Sequence, residues 1–423
     1  MPRIVIIGGG FGGLWAARAL AGKPCDVMLL DRNNYHTFLP LLYQVGAAEV
    51  APTDIIYPVR SILRRKKNVR FLMDEIRSID LQARVVRGSS KEYAYDYLVL
   101  ALGSRSHFFG VEGAAQHAFQ LKTLDHAIAL RNHILLCFEG ALSESDQQRR
   151  QALLTFTIVG GGPTGVEFTG ALAELVRHPV QRDYPSLANA GVRVVLLEAA
   201  PQLLPGWPEK LQAYTFRRLV QMGVEVPIQA TVESVTPDAV LLKGGERIPS
   251  RTAVWTAGVR GEGLESAGGL PLTPNTRVEV LPTLQVVGHH EVYTIGDLAQ
   301  VQDERLPLIA PVAIQQGEWA AANILRQLEG QEPLPFRYRD PGTMVTIGRN
   351  AAVVRMGKRT FTGLIAWLMW LGVHLLKLIG FRNRLLVLIN WAWDYLFYER
   401  AVRLIYPASM RRSDTQGDHA ESR

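Results

Sequence analysis

Cysteine is nearly absent from the 423 residues: only Cys25 and Cys137 occur, far apart and in no CxxC. That argues against a disulfide framework and a redox dithiol, and suits a reducing, cytosol-facing compartment. No HExxH and no cysteine-rich spacing appears, so no metal site is expected. No nucleophile with its base stands out either. The chain runs directly into an apolar strand, Arg3 to Ile7, without the basic stretch, apolar region and cleavage site of a secretory signal. Export is therefore not expected. Acids are scarce at one end: from Arg355 to Arg412 ten Lys/Arg face two acids, a net +8 within a chain of net +7. The excess charge belongs to that end, and a nucleic-acid partner is not expected.

What is present suits an α/β fold. Apolar residues make up 48% and there are 38 glycines, as buried strands and tight turns require. RIVIIGGGFGGLWAARAL followed by VMLLDRN reads as strand, glycine turn, helix, strand. TFTIVGGGPTGVEFTGALAEL followed by VRVVLLEAA repeats that pattern, an internal duplication that implies two bound nucleotides. Between them lie the short strand region Tyr95 to Ser104 and a polar helix from Thr123 to about Gln148. RHPVQRDYPSLANAG is a loop insertion before Glu198.

Gly8, Gly10 and Gly13 form GxGxxG between strand and helix. The first glycine permits the turn, the second admits a pyrophosphate, and the third lets helix pack on strand. The helix N-terminus offers free N–H groups to phosphate. Asp31 ends the following strand, where a carboxylate can accept from ribose hydroxyls. Gly160, Gly162 and Gly165 repeat the arrangement, with Glu198 as the strand-end acid. An acid there accepts from a ribose 2′-OH and repels a 2′-phosphate, favouring NADH over NADPH. Glu198 read blandly is an exposed strand-end acid. Asp297, past the strand in EVYTIGDLA, lies at the sheet edge where open α/β folds bind ligands, or is simply a helix N-cap.

From residue 3 to about 405 the chain resembles the two-dinucleotide-binding-domain flavoproteins, and within them the type II NADH dehydrogenases, the single-chain NADH:quinone oxidoreductases. The resemblance rests on IVIIGGGFGG, HTFLPLLYQV, YDYLVLALG, VGGGPTGVEFTGAL, VWTAGVR, YTIGDLA and APVAIQQG. It implies two Rossmann-like domains plus a C-terminal amphipathic helical membrane anchor. The FAD-binding domain would comprise residues 1–122 and 281–335, the NADH-binding domain 123–280, the anchoring domain 336–412, and a disordered tail 413–423. Non-covalent FAD would lie on Gly8, Gly10, Phe11, Gly12, Gly13, Asp31, Arg32 and Gly103, with Asp297 on its ribityl or diphosphate part. NADH would lie on Gly160, Gly162, Gly165, Glu198 and Gly258. Tyr43 and Gln44 would face the flavin, although Leu41, Leu42 and Val45 read equally well as core.

The resemblance places Glu167 near the rings, where a buried carboxylate of raised pKa could relay a proton to quinone. Its alternative is a helix acid that complements the dipole. Gln315 and Gln316 could donate to a quinone carbonyl or a flavin edge, or begin an exposed helix. Relatives commonly carry glutamine where this chain has Pro311, a departure that bears on the quinone site.

The end of the chain carries Phe361 to Leu376, sixteen residues without formal charge if His374 is neutral, and a second apolar stretch, Leu385 to Tyr398, broken by Asp394. Four of eight tryptophans lie between Trp367 and Trp393, beside Lys377, Arg382, Arg384, Arg400 and Arg403. Tryptophan with snorkelling cations favours a bilayer interface. The expectation is two amphipathic helices lying in one leaflet against anionic headgroups, peripheral on the cytoplasmic face, in preference to a transmembrane hairpin. Burial in a homodimer interface is the structural alternative and can coexist with membrane contact, and a homodimer is expected. The implied activity is non-proton-pumping, FAD-dependent electron transfer from NADH to a membrane quinone. Alternatives are an NADPH-preferring reductase and an NADH-binding redox sensor. Sulfide:quinone chemistry is disfavoured because no cysteine follows Cys137.

Overall fold

The computed structural model describes residues 1–187, 190–262, 269–397, 400 and 402–405. The expected tail 413–423 lies outside the described residues.

Arg3–Ile7 is an inner strand of an eight-stranded sheet. The order is Ala299–Val301, Val278–Val280, Gln285–Val286, His289–Thr294, Tyr97–Leu100, Arg3–Ile7, Asp26–Asp31, Val69–Met73. The last five strands run parallel. Ile4, Val5, Ile6 and Ile7 are all buried, because a parallel strand covered on both faces must be apolar throughout. The helices Phe11–Ala19 and Ala310–Leu328 cross so closely that a Cβ on Gly317 would stand 2.3 Å from the Gly12 carbonyl oxygen.

A second parallel sheet has the order Phe119–Gln120, Thr252–Trp255, Thr155–Val159, Arg193–Leu197. Each sheet is accompanied by a three-stranded antiparallel meander, Ile76 to Ala94 for the first and Val232 to Pro249 for the second. Sheet membership crosses both expected boundaries by a few residues: Phe119–Gln120 joins the second sheet, and Val278–Val280 the first. The expected helix from Thr123 to Gln148 is two helices, Leu124–Ser143 and Gln147–Leu153, each with its own cap. Thr123 Oγ1 accepts from His126 N–H and Asp146 from Arg149 N–H. The insertion before Glu198 is a π-type turn, Val176–Val180, leading into short helical turns rather than a plain loop.

The C-terminal region forms a three-stranded antiparallel sheet, Thr343–Thr346, Ala352–Met356 and Arg359–Thr362, then the helices Gly363–Lys377 and Phe381–Phe397. Ala366, Trp370, Leu378 and Val387 are buried against the body. The outward side is apolar as well: Ile365 is 65% exposed, Leu376 71%, Phe381 81% and Leu396 68%. Among the described residues no helix is long and apolar enough to cross a membrane.

The structure corrects the expectation that all five cations of this end snorkel. Lys377 and Arg382 are exposed. Arg384 instead donates to the carbonyls of Leu376 and Leu378 at the end of the preceding helix, and Arg403 pairs with Asp183 at 2.7 Å. Arg400 is fully buried. Its guanidinium lies 2.8 Å from Glu49, 3.5 Å from Glu174 and 3.8 Å from Asp394, and donates to the carbonyls of Ala47 and Ala171. One side chain thus ties the first unit, the second glycine-turn helix and the C-terminal helices together. Arg400→Ala would leave the Glu174 carboxylate without this cation and the Ala47 and Ala171 carbonyls without its N–H groups, so it should lower unfolding stability by about 3–5 kcal/mol in chemical denaturation. An unchanged midpoint would remove Arg400 from this role.

Candidate active site

The two glycine turns are built alike to the ångström. Gly8 and Gly160 adopt φ of +104° and +110°, closed to side chains, and each abuts the next strand's exit: Ala101 carbonyl oxygen for Gly8, Ala257 nitrogen for Gly160. A Cβ on Gly13 or Gly165 would stand 1.9 Å from the carbonyl oxygen of Gly8 or Gly160 respectively. Around Gly10 and Gly162, by contrast, a Cβ would meet nothing within 4 Å, and neither helix start carries a side-chain cap. Both helices therefore present uncapped N–H groups to open space beside a residue with no side chain. That geometry fits a dinucleotide pyrophosphate at each turn.

The strand-end acids brace these turns. Gly9 N–H donates to Asp31 Oδ2 at 2.6 Å, and Gly161 N–H donates to Glu198 Oε2 at 2.6 Å. The other oxygens accept from Asn33 N–H and Ala200 N–H, both at 2.7 Å. Glu198 is thus engaged, not a free strand-end acid. Burial pushes the Asp31 carboxyl up, opposed by the Asn33 and Gly9 N–H groups and by the Arg32 charge. The Arg32 side chain itself is exposed. Phe11 is buried edge-on against His36, centroids 4.9 Å apart, and a Cβ on Gly12 would press on Ile295 at 3.1 Å. Gly103 has φ +78° with nothing within 4 Å of its Cβ position. Gly258 has φ +68° and a packing cause as well, since a Cβ would lie 2.3 Å from the Phe109 ring.

Asp297 lies in the turn Gly296–Leu298, whose N-cap position is Ile295, so it is not an N-cap. Its Oδ2 accepts from Ser104 Oγ at 2.6 Å, and Lys122 Nζ donates to the same hydroxyl at 3.1 Å. Burial lowers the Lys122 pKa, partly offset by the Asp297 charge. The sequence reading missed Ser104 and Lys122. Gln316 is buried, and its Oε1 accepts from Gly296 N–H at 2.7 Å. Through this bond Gln316 holds the turn that carries Asp297. Gln315 is also engaged, donating to Arg339 carbonyl at 2.9 Å and accepting from Arg339 N–H at 3.0 Å. Pro311 occupies the first turn of the Ala310–Leu328 helix, where its missing N–H costs nothing.

Glu167 lies in the second turn of Pro163–Leu175, beyond the reach of a simple dipole contact, and turns toward the C-terminal sheet. Thr346 N–H donates to its Oε1 at 3.3 Å. Burial pushes its pKa up to about 8, against the opposing pull of the Thr346 N–H and the Trp370 indole, with the Glu49 charge adding to the rise. Glu49 is likewise pushed up to about 8 by burial, despite Arg400. Tyr43 is buried beside them, its pKa raised by burial and by the Glu167 and Glu49 charges. Gln44 Nε2 donates to Tyr43 Oη at 3.1 Å, and Trp391 Nε1 donates to Gln44 Oε1 at 3.0 Å. His374 stacks on Trp370 and donates from Nδ1 to the Trp370 carbonyl at 2.8 Å. Burial lowers its pKa to about 4, so it is neutral. Tyr43, Gln44 and Glu167 thus meet under the C-terminal helices. Glu49 and Arg400 were not foreseen; the available cue is an acid inside the apolar run GAAEVA.

A family model described as pyridine nucleotide-disulphide oxidoreductase matches residues 2–317, and one described as NDH2 C-terminal domain matches residues 341–399. The type II NADH:quinone oxidoreductase Ndh of Mycobacterium tuberculosis is 39% identical over 413 residues, covering 94% of this chain and 89% of that one. The chain belongs to the type II NADH:quinone oxidoreductases. A Staphylococcus haemolyticus member of this family is 31% identical over 374 residues, covering 85% and 91%. The structure of NDH2 from Plasmodium falciparum in complex with NADH superposes with a TM-score of 0.88 at 18% identity, over 96% of this chain and all of that one, and shares its fold. A sulfide:quinone oxidoreductase from Aquifex aeolicus is less similar, with a TM-score of 0.70 at 18% identity.

The raised Glu167 pKa has a consequence for stability. From about pH 4.5 to about 8 the folded chain keeps a proton on Glu167 that the unfolded chain has released, so this group makes stability fall as pH rises through that window. Glu167→Gln should flatten that slope in denaturant midpoints measured across it. An unaltered slope would contradict the assignment.

Proposed function

We propose that this chain oxidises NADH on non-covalently bound FAD and passes the electrons to a quinone at a membrane surface, with Glu167 delivering a proton. The carrying observation is the pair of matching glycine turns, each open at its middle glycine, with the raised-pKa Glu167 one turn of helix beyond the second and packed beside Tyr43 of the first unit.

FAD would lie on the first turn, with Asp31 and Asp297 as its polar anchors, and NADH on the second, with Glu198. When bound, FAD supplies the two-electron carrier between donor and acceptor. A hydride leaving NADH carries one proton with its two electrons, whereas a quinone becoming a quinol takes up two protons. Glu167 is protonated at neutral pH and can give up the additional one, regaining it from solvent. Tyr43 and Gln44 hold the floor of this region, with Gln44 fixed by Trp391. An acid at Glu198 that already holds Gly161 and Ala200 has its carboxylate where a 2′-phosphate would be repelled, which supports NADH over NADPH.

The outward apolar side of the two C-terminal helices, with Lys377 and Arg382 exposed beside it, supports a monotopic seat in one leaflet, facing the cytoplasm. A lipid-soluble acceptor would then arrive from the membrane side and NADH from water.

Steady-state kinetics test the reaction: NADH oxidation should require a quinone and fall as pH rises through about 8. Glu167→Gln should lose that limb and lower kcat about 10²-fold or more, with the NADH KM little changed. A single reduction of FAD without quinone turnover would favour the redox-sensor reading. Removing the C-terminal helices would open a core that includes Trp370 and Arg400, so the seat is better tested on exposed residues. Ile365→Ser, Leu376→Ser and Phe381→Ser together should free the protein from membranes while preserving turnover of a water-soluble quinone. Sedimentation of the triple variant with membranes as before would remove the anchor reading.

A further inference from the structure

A groove of about 520 Å³ opens where the first unit meets the turn joining the two C-terminal helices. The end of the Phe11–Ala19 helix gives Trp15 and Arg18. Tyr57, Ser61 and Lys66 also line it, Ile379 and Gly380 come from the interhelical turn, and Glu318 is its one acid. The turn is pressed onto the first unit: a Cβ on Gly380 would stand 2.3 Å from the Tyr57 ring. The next residue, Phe381, begins the outward apolar helix face.

The groove is basic for a reason that the net-charge count conceals. Lys66 belongs to Arg64, Arg65, Lys66 and Lys67, four consecutive exposed cations, none of them in an ion pair among the described residues. Arg18 lies over the Trp15 ring, 5.2 Å from its centroid, and is exposed. Of these cations, Arg18 and Lys66 line the groove beside Ile379 and Gly380 of the interhelical turn.

A small water-soluble anion would use the cations and leave the apolar face unused; a purely apolar partner would do the reverse. A molecule with an anionic head and hydrocarbon tails uses both. We propose that this groove binds the phosphate headgroup of an anionic phospholipid, with Arg18 and Lys66 on the phosphate and the acyl chains lying along the outward face of the two C-terminal helices. Trp15 and Tyr57 stand at the level where aromatic rings favour the boundary between headgroup and hydrocarbon. Ser61 can donate to a phosphate oxygen, and Glu318 can accept from a headgroup hydroxyl. The volume is within the range of small-molecule sites, about 300–1,000 Å³. The inference rests on the reading that these helices lie in a membrane.

The test uses full-length, FAD-loaded protein and vesicles of phosphatidylcholine, with or without phosphatidylglycerol. Wild-type protein should prefer the anionic vesicles. Each cation near such a surface contributes about fivefold in affinity, so Arg18→Gln with Lys66→Gln should lower anionic-vesicle binding about 25-fold and leave phosphatidylcholine binding unchanged. Arg64→Gln with Arg65→Gln, outside the groove lining, should lower it clearly less, and FAD content and circular dichroism report that both variants fold. Equal losses from the two pairs would mean a diffuse basic field and overturn the groove. So would wild-type binding to both vesicles without preference, which leaves the membrane reading standing. Failure of the wild type to bind either vesicle would overturn the membrane reading itself.

Discussion

The third glycine of each turn sits where one added carbon would lie 1.9 Å from a carbonyl oxygen, and the rest of the molecule follows from that contact. It brings the helix onto the strand, which aims the helix N-terminus past the sheet edge. The edge is then braced from the side, since Asp31 and Glu198 each hold the N–H of the residue between the first two glycines. A carboxylate is suited to this because a charged acceptor makes a stronger bond to N–H than a neutral one. In the function proposed above the same acids would also meet ribose hydroxyls, so that one residue in each turn would serve both bracing and binding.

Between the two units, chemistry depends on how charge is buried. Glu167 accepts from the Thr346 N–H and has no ion pair among the described residues, so burial raises its pKa to about 8 and keeps it protonated in neutral solution. Arg400, Glu174, Asp394 and Arg349 form a paired cluster nearby, with Arg349 bound to Asp394 at 3.0 Å. An ion cluster of this kind is weak as a source of stability, yet removing one member is costly. Its effect is to tie the C-terminal segment onto the wall of the candidate site. Trp391 on Gln44 and Asn383 on the carbonyls of Asp54 and Ile56 extend the same attachment.

The C-terminal helices are apolar on two sides for two different reasons. The inner side packs Trp370 and Val387 into the body. The outer side carries Ile365, Leu376 and Phe381 with nothing over them among the described residues. A helix pattern alone does not separate these sides, because both are read as hydrophobic. Pairing with the body decides which tryptophan is core and which faces out: Trp370 is buried, while Trp393 is exposed.

Sequence by itself determined the strands, the duplicated glycine turns and the acids that follow them, because these depend on local geometry: φ at Gly8 and Gly160, the period of apolar residues, and the end of the next strand. It also placed Asp297 at a sheet edge and Glu167 in the helix after the second turn. Only the tertiary structure decided what those side chains meet. Gln315 and Gln316 look alike in sequence, yet one is bound to the Arg339 backbone and the other to Gly296 N–H; Arg400 looks like the other terminal cations, yet it lies beside Glu49, some 350 residues earlier in the chain. The basic edge at Arg64 to Lys67 is visible as a run of letters, but its nearness to Gly380 is not. Contacts between residues so far apart carry no periodic signal; they arise when separate surfaces pack, and there the long-range partners fix which charges are paired, which are buried and which remain free.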